Sequence, residues 1–177
     1  MIQIHGKNFE PLLTKNQLDG IIDQLAEQIN RDYCGKRPVF LVTLNGAFLF
    51  ASDLIRRFQG DCEVAFIRMK SYDGMTTTGK AQQVMEISLS LQGRDVIIVE
   101  DLIETGITIR DLIEILQPQR PSSIHIAILL LKPRLLQVDN LPITYVGKNV
   151  GDEFLVGFGL DYNELGRNLP EIYKCVD

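Results

Sequence analysis

Apolar residues recur at helical spacing through Leu18, Ile21, Ile22, Leu25 and Ile29, and Thr14 with Gln17 stands just ahead at capping-box spacing. This predicts an amphipathic helix that ends near Cys34-Gly35. Residues 39–44 form a short, nearly unbroken apolar run that stops at Asn45-Gly46, after which Phe48, Ala51, Ile55 and Phe58 mark a second helix. Residues 63–69 read as a strand. The stretch 71–80 (SYDGMTTTGK) is polar, contains glycine and lacks apolar periodicity, so a mobile loop is expected there. Over 85–91, Met85, Ile87, Leu89 and Leu91 alternate with Glu86, Ser88 and Ser90, which predicts a half-buried strand closing an antiparallel hairpin across that loop. Residues 96–99 form an all-apolar strand, followed by a polar turn and a helix carrying Ile109, Leu112, Ile113 and Leu116, with Pro118 just past its end. Residues 124–131 are the next buried strand, and from Leu135 onward the chain is loop-rich.

Strands alternating with helices define the expected class: α/β, with a mostly parallel central sheet covered by helices on both faces and ligands gathered at the carboxyl ends of the strands. At 177 residues and 45% apolar composition, one domain spanning 1–177 is expected. A net charge of -5 supplies no general attraction to nucleic acid or to an anionic membrane, so phosphate binding must be local. The longest apolar run, 126–131, is far short of the roughly 20 residues a bilayer span needs, and residues 1–10 lack a signal-peptide layout. A cytoplasmic location follows as the expectation. Cys34, Cys62 and Cys175 are too widely spaced for zinc pairs or a disulfide framework, and His5 and His125 are too far apart for a metal cluster.

The segment 96–108 reads VIIVEDLIETGIT. Glu100 and Asp101 sit where the strand reaches the sheet edge, and paired carboxylates there can accept hydrogen bonds from sugar hydroxyls or help hold a hard cation. Glu104, Thr105, Gly106, Ile107 and Thr108 lie at a helix start, where unpaired amides and the positive end of the dipole make a phosphate cradle. On spacing alone, an acid-capped strand-to-helix turn explains the same residues. The whole segment narrows the choice, because it resembles the phosphoribosyl pyrophosphate motif of type I phosphoribosyltransferases. The flanking motifs resemble the hypoxanthine-guanine phosphoribosyltransferase family over nearly the whole chain.

That resemblance implies a small hood over the sheet, formed mainly by about 135–177 with the N-terminal segment, and a set of roles. Glu100 and Asp101 contact the ribose, residues 104–108 hold the 5'-phosphate, and Glu104 handles a proton on the purine. Leu44-Asn45-Gly46-Ala47 is similar to the family's pyrophosphate loop, with a cis peptide at Leu44-Asn45; Arg167 joins Asn45 and Gly46 on pyrophosphate. Lys70-Ser71-Tyr72 looks like the catalytic lid, with Ser71 and Tyr72 closing over the reacting centre. Lys132, Phe154 and Leu155 form the purine pocket, and Asp161, in the LDYNE-like segment 160–164, binds Mg²⁺ together with Glu100 and Asp101. The implied partners are a purine base and phosphoribosyl pyrophosphate, with self-association as a homodimer or homotetramer.

This chain departs from the family pattern at Glu104, usually aspartate, at Asn45, commonly lysine, and at Ile107, polar or basic in several relatives. Two other readings remain at this point. A regulatory protein keeping the fold as a sensor and binding RNA or DNA is opposed by the acidic balance and the lack of a basic aromatic surface. A generic nucleotide-binding α/β protein leaves Lys132, Phe154 and Asp161 unexplained, and neither GxGxxG nor GxxxxGK[ST] is present.

Overall fold

The computed structural model describes residues 1–70 and 82–177. Two strands open it, β1 (Ile2–Ile4) and β2 (Lys7–Leu13), paired antiparallel through a two-residue turn at His5-Gly6. Both turn residues take positive φ, 48° and 80°, the geometry that lets a two-residue loop follow the twist of its strands. Only Phe9 and Leu13 of β2 are fully buried, so the apolar alternation is too sparse to mark a strand in the sequence.

Helix α1 (Lys15–Asp32) starts at the capping box the sequence predicts: the Gln17 amide donates to Thr14 Oγ1 at 3.4 Å and the Thr14 amide donates to Gln17 Oε1 at 2.9 Å. Its buried face is Leu18, Ile22, Leu25, Ala26 and Ile29. Thr14→Ala removes one half of the box and should lower stability by about 1 kcal/mol. The check is a lower urea midpoint at unchanged slope; an unmoved midpoint would mean that the cap adds nothing.

Strand β3 (Val39–Leu44) is buried along almost its whole length because it pairs in parallel on both sides, which is why it reads as a continuous apolar run. Helix α2 (Phe48–Ile55) follows; Phe58, expected on it, lies just beyond and meets Phe40 edge-on at 5.3 Å. Strand β4 (Glu63–Lys70) pairs in parallel with β3, and β5 (Gln82–Met85) pairs with β4 antiparallel, as the hairpin expectation requires. The strand expected over 85–91 is corrected: β5 ends at Met85, and residues 86–91 join no ladder. Ile87, Leu89 and Leu91 still pack into the core. An extended segment draped on apolar surface gives period-two burial without a pairing partner, so the pattern alone misplaced the strand. The loop 71–80 lies outside the described residues.

Strand β6 (Asp95–Ile103) runs past Val99 to carry Glu100 and Asp101 within the strand. It leads into α3 (Ile107–Leu116), then β7 (Ser123–Leu131), β8 (Ile143–Asn149), β9 (Leu155–Val156) and β10 (Ile172–Cys175). The main sheet has the order β5-β4-β3-β6-β7-β8, parallel except at β5. One core lies under α1 and α2 on one face, and a second lies under α3 on the other. A smaller antiparallel sheet, β1-β2-β10-β9, forms the hood. The expected hood boundary is therefore corrected: residues 143–149 add a sixth strand to the main sheet, because Tyr145 and its neighbours pair with β7 and bury against α1. The hood proper takes its strands from the two ends of the chain.

Candidate active site

Strands β3, β6 and β7 end at one edge, and the turns that follow them enclose a cavity of about 580 Å³. Its walls include Asn45 and Gly46 after β3, Glu100, Asp101 and Glu104 from β6 and its turn, Lys132 after β7, and Phe154, Leu155, Asp161 and Arg167 from the hood side. A smaller hollow of about 200 Å³ adjoins it at the start of α3, lined by Glu104, Thr105, Gly106 and Thr108 among others. Glu100, Leu102, Glu104 and Thr108 wall both spaces. Of the expected phosphate residues only Ile107 is missing from the hollow; its amide faces Thr105 Oγ1 at 3.4 Å instead.

The cradle follows from local backbone. Gly106 precedes the helix with φ 79°, and the first helical bond to it is Arg110 N-H to its carbonyl at 3.0 Å. Gly106 at the N-cap has no side chain with which to cap the helix, so apart from the Ile107 amide on Thr105 Oγ1 the first-turn amides remain to be satisfied beside the hollow.

The acidic pair is held tightly. Asp101 is 8% exposed and its Oδ1 accepts from the Leu102 amide at 3.0 Å, while Glu100 Oε1 accepts from the Asp101 amide at 3.1 Å. Burial first, and then the neighbouring Asp101 carboxylate, push the Glu100 carboxyl well above the usual range. Such a site favours whatever brings positive charge or hydroxyl donors to it. Asp101 also touches the turn after β3. The Leu44-Asn45 peptide is cis, and a Cβ built on Gly46 would fall 1.8 Å from Asp101 Oδ2. Only glycine allows this approach.

Just after β7, the Lys132 side chain is 2% exposed and its Nζ lies 2.6 Å from Glu104 Oε1, whose side chain is 49% exposed. The Lys132 amide donates to the Ile103 carbonyl at 2.9 Å, which fixes the stem between β6 and β7. Phe154 is half-exposed at the cavity mouth and contacts Tyr162 edge-on, with ring centroids 5.5 Å apart. Leu155 is buried in β9. Arg167 donates to the Gly159 carbonyl at 2.9 Å and pairs with Asp161 at 2.7 Å, while Asp161 Oδ2 accepts from the Glu164 amide at 2.8 Å.

Fit to a divalent cation is limited but chemically sound. Among the described residues no group of three His, Cys, Asp or Glu side chains converges to hold a metal, so Asp161 does not join Glu100 and Asp101 in a protein-only cage. Hard carboxylate oxygens around one cavity suit Mg²⁺, which keeps several waters and takes substrate oxygens to complete its shell.

The structure thus brings together every expected site residue on these elements except Ser71 and Tyr72, which lie outside the described residues, and Ile107, whose side chain stays apart. Thr43, Arg68, Met69 and Glu164 also line the cavity and were not expected. Arg68 carried a signal: a charge at the carboxyl end of a strand, on the edge where ligands gather. Thr43 is the last buried polar residue of β3, donating to the Val99 carbonyl at 2.9 Å.

Among the described residues, no helix is long and apolar enough to cross a membrane. Residues 11–163 match the phosphoribosyl transferase domain family. The chain is 41% identical to the hypoxanthine-guanine phosphoribosyltransferase of Staphylococcus aureus over 96% of this chain and 94% of that one. It is 35% identical to that of Aquifex aeolicus over 100% of both. A crystal structure of a hypoxanthine-guanine phosphoribosyltransferase from Bacillus anthracis superposes with a TM-score of 0.89 at 39% identity, covering 94% of this chain and 98% of that one. The chain belongs to the hypoxanthine-guanine phosphoribosyltransferase family, the purine-salvage enzymes that transfer the 5-phosphoribosyl group from phosphoribosyl pyrophosphate to hypoxanthine or guanine with release of pyrophosphate.

Proposed function

We propose that the two adjoining spaces divide the substrates between them, with the 5'-phosphate in the small hollow and the ribose, pyrophosphate and purine in the larger cavity. The observation that carries this is their shared wall: Glu100, Glu104 and Thr108 face both, so one phosphosugar can span them. The uncapped start of α3 receives the phosphate through residues 104–108, and Glu100 with Asp101 accepts from the ribose hydroxyls. Asn45, Gly46 and Arg167 hold the pyrophosphate, since guanidinium and turn amides match phosphate oxygens. Lys132 donates to the 6-oxo group, Phe154 stacks on the base and Leu155 presents backbone to it. Glu104 receives or returns a proton on the purine ring as the new bond to the anomeric carbon forms. Ser71 and Tyr72 are assigned the closing role on the resemblance alone.

Mg²⁺ belongs to this reading, held through Asp161 and the Glu100-Asp101 pair together with substrate oxygens and water. When bound it supplies positive charge to the departing pyrophosphate. The chain's own contribution is orientation and a preformed field of donors around a cationic ribosyl transition state. Location in the cytoplasm is supported by three free cysteines, and assembly as a dimer or tetramer by Phe48, Val64 and Phe66, large apolar residues left exposed on α2 and β4.

Steady-state kinetics with hypoxanthine, guanine, xanthine and adenine test the reading. Nucleotide should form readily from a 6-oxopurine, hardly at all from adenine, and formation should stop when a chelator removes Mg²⁺ and resume when it is restored. Equal use of adenine would remove Lys132 as the donor that selects the base, and full activity in chelator would remove the cation.

A further inference from the structure

The cavity wall carries more carboxylates than cations: Glu100, Asp101, Glu104, Asp161 and Glu164 against Arg68, Lys132 and Arg167 among the described residues. Two of those cations are already engaged. Lys132 lies 2.6 Å from Glu104, and Arg167 lies 2.7 Å from Asp161 and 3.4 Å from Glu164. Arg68 forms no ion pair with any described carboxylate.

Its position gives that charge a use. In the parallel ladder of β3 and β4, Arg68 stands opposite Leu44, the last residue before the Asn45-Gly46 turn. Neighbouring strands lie about 4.8 Å apart, so the arginine flanks the turn directly. Residues in register on parallel strands project to the same face, and the face of Leu44 is the one covered by α1 and α2. Helix α2 starts immediately beyond the turn with no side-chain hydrogen bond capping it, so its positive end adjoins the turn. The carboxylates of the wall come from β6 and its turn and from residues 161–164; β4 contributes Arg68 and Met69 and no acid. Asn45, at the centre of the turn, is neutral.

We propose that Arg68 is a pyrophosphate-binding residue, supplying from β4 the cation that the turn itself lacks. The inference rests on the assignment of pyrophosphate to the Asn45-Gly46 edge. A polyanion settling on that turn meets the guanidinium on its β4 side and Arg167 on its hood side, and is held between them. The interaction belongs to both substrate and leaving group, so its loss weakens phosphoribosyl pyrophosphate and product pyrophosphate alike and leaves the purine untouched.

The test compares the full-length enzyme with Arg68→Gln, Arg167→Gln and the double variant Arg68→Gln/Asn45→Lys, reading the KM for phosphoribosyl pyrophosphate, the KM for hypoxanthine and inhibition by free pyrophosphate. Arg68→Gln should raise the first KM and the pyrophosphate inhibition constant by about tenfold, the scale of one charged hydrogen bond, with the hypoxanthine KM unchanged. A lysine at position 45 restores a cation on the same turn and should recover most of the loss. Unchanged pyrophosphate inhibition in Arg68→Gln, with inhibition weakened in Arg167→Gln, would overturn the role of Arg68 and leave the pyrophosphate site standing. Unchanged inhibition in both variants would remove pyrophosphate from this edge, and Arg68 with it. A hypoxanthine KM rising in parallel would mark general damage to the site and also overturn the role.

Discussion

Alanine in place of Gly46 is expected to cut kcat/KM for phosphoribosyl transfer by about a hundredfold, the usual consequence of displacing reacting groups by around 1 Å. The added carbon would sit 1.8 Å from Asp101 Oδ2 and 2.6 Å from its Cγ, so one of the two must move. Asp101 is poorly placed to yield, being buried and tied through Oδ1 to the Leu102 amide at 3.0 Å. On the proposed assignment, the ribose loses an acceptor if the carboxylate turns, and the pyrophosphate loses its amides if the turn retreats. Either path raises the KM for phosphoribosyl pyrophosphate and lowers kcat while the melting temperature changes little, because the residue lies at the rim of the sheet rather than in its core. Wild-type kinetics in Gly46→Ala would show that Asp101 has room to swing and that the close approach is not required.

Lys132→Met should have an effect of comparable or greater size, but on the other substrate. The side chain is 2% exposed, and methionine occupies similar volume without the ammonium, so the fold should tolerate the change. A pocket built to donate to an oxygen discriminates strongly once the donor is gone, and kcat/KM for hypoxanthine should fall by about a thousandfold. Glu104, 2.6 Å from the lysine, would lose its partner at the same time. The decisive reading is the ratio of hypoxanthine to adenine: it should collapse in the variant, since adenine never had the lysine to lose. A preserved ratio would place selection elsewhere, for instance on the backbone beside Leu155.

Most of the half of the site proposed to hold the sugar-phosphate is legible in the sequence because it is local. Residues 95–108 form one strand, one turn and one helix start, and the apolar run, the acidic doublet and the glycine each announce their part. The capping box of α1 and the buried strands at 39–44 and 123–131 are plain for the same reason. What escapes the sequence depends on pairing between distant residues. β8 is half-polar and reads as loop until β7 lies beside it, and β1 with β2 shows little apolar period before β10 covers it. The alternation at 85–91 misleads because burial without a ladder leaves the same trace. The ion pair of Lys132 with Glu104 joins positions 28 residues apart, and nothing in either segment signals the other.

The small sheet gives the proposed base pocket an unusual dependence. Phe154 stands just before β9 and Leu155 opens it; among the described residues β9 pairs only with β10, and β10 is in turn clasped by β2. On the proposed assignment, the stacking wall of the purine is therefore entrusted to a seam sewn from opposite extremities of the polypeptide, whereas the 5'-phosphate is gripped by its middle. Loosening that seam should weaken binding of the base well before it releases the 5'-phosphate.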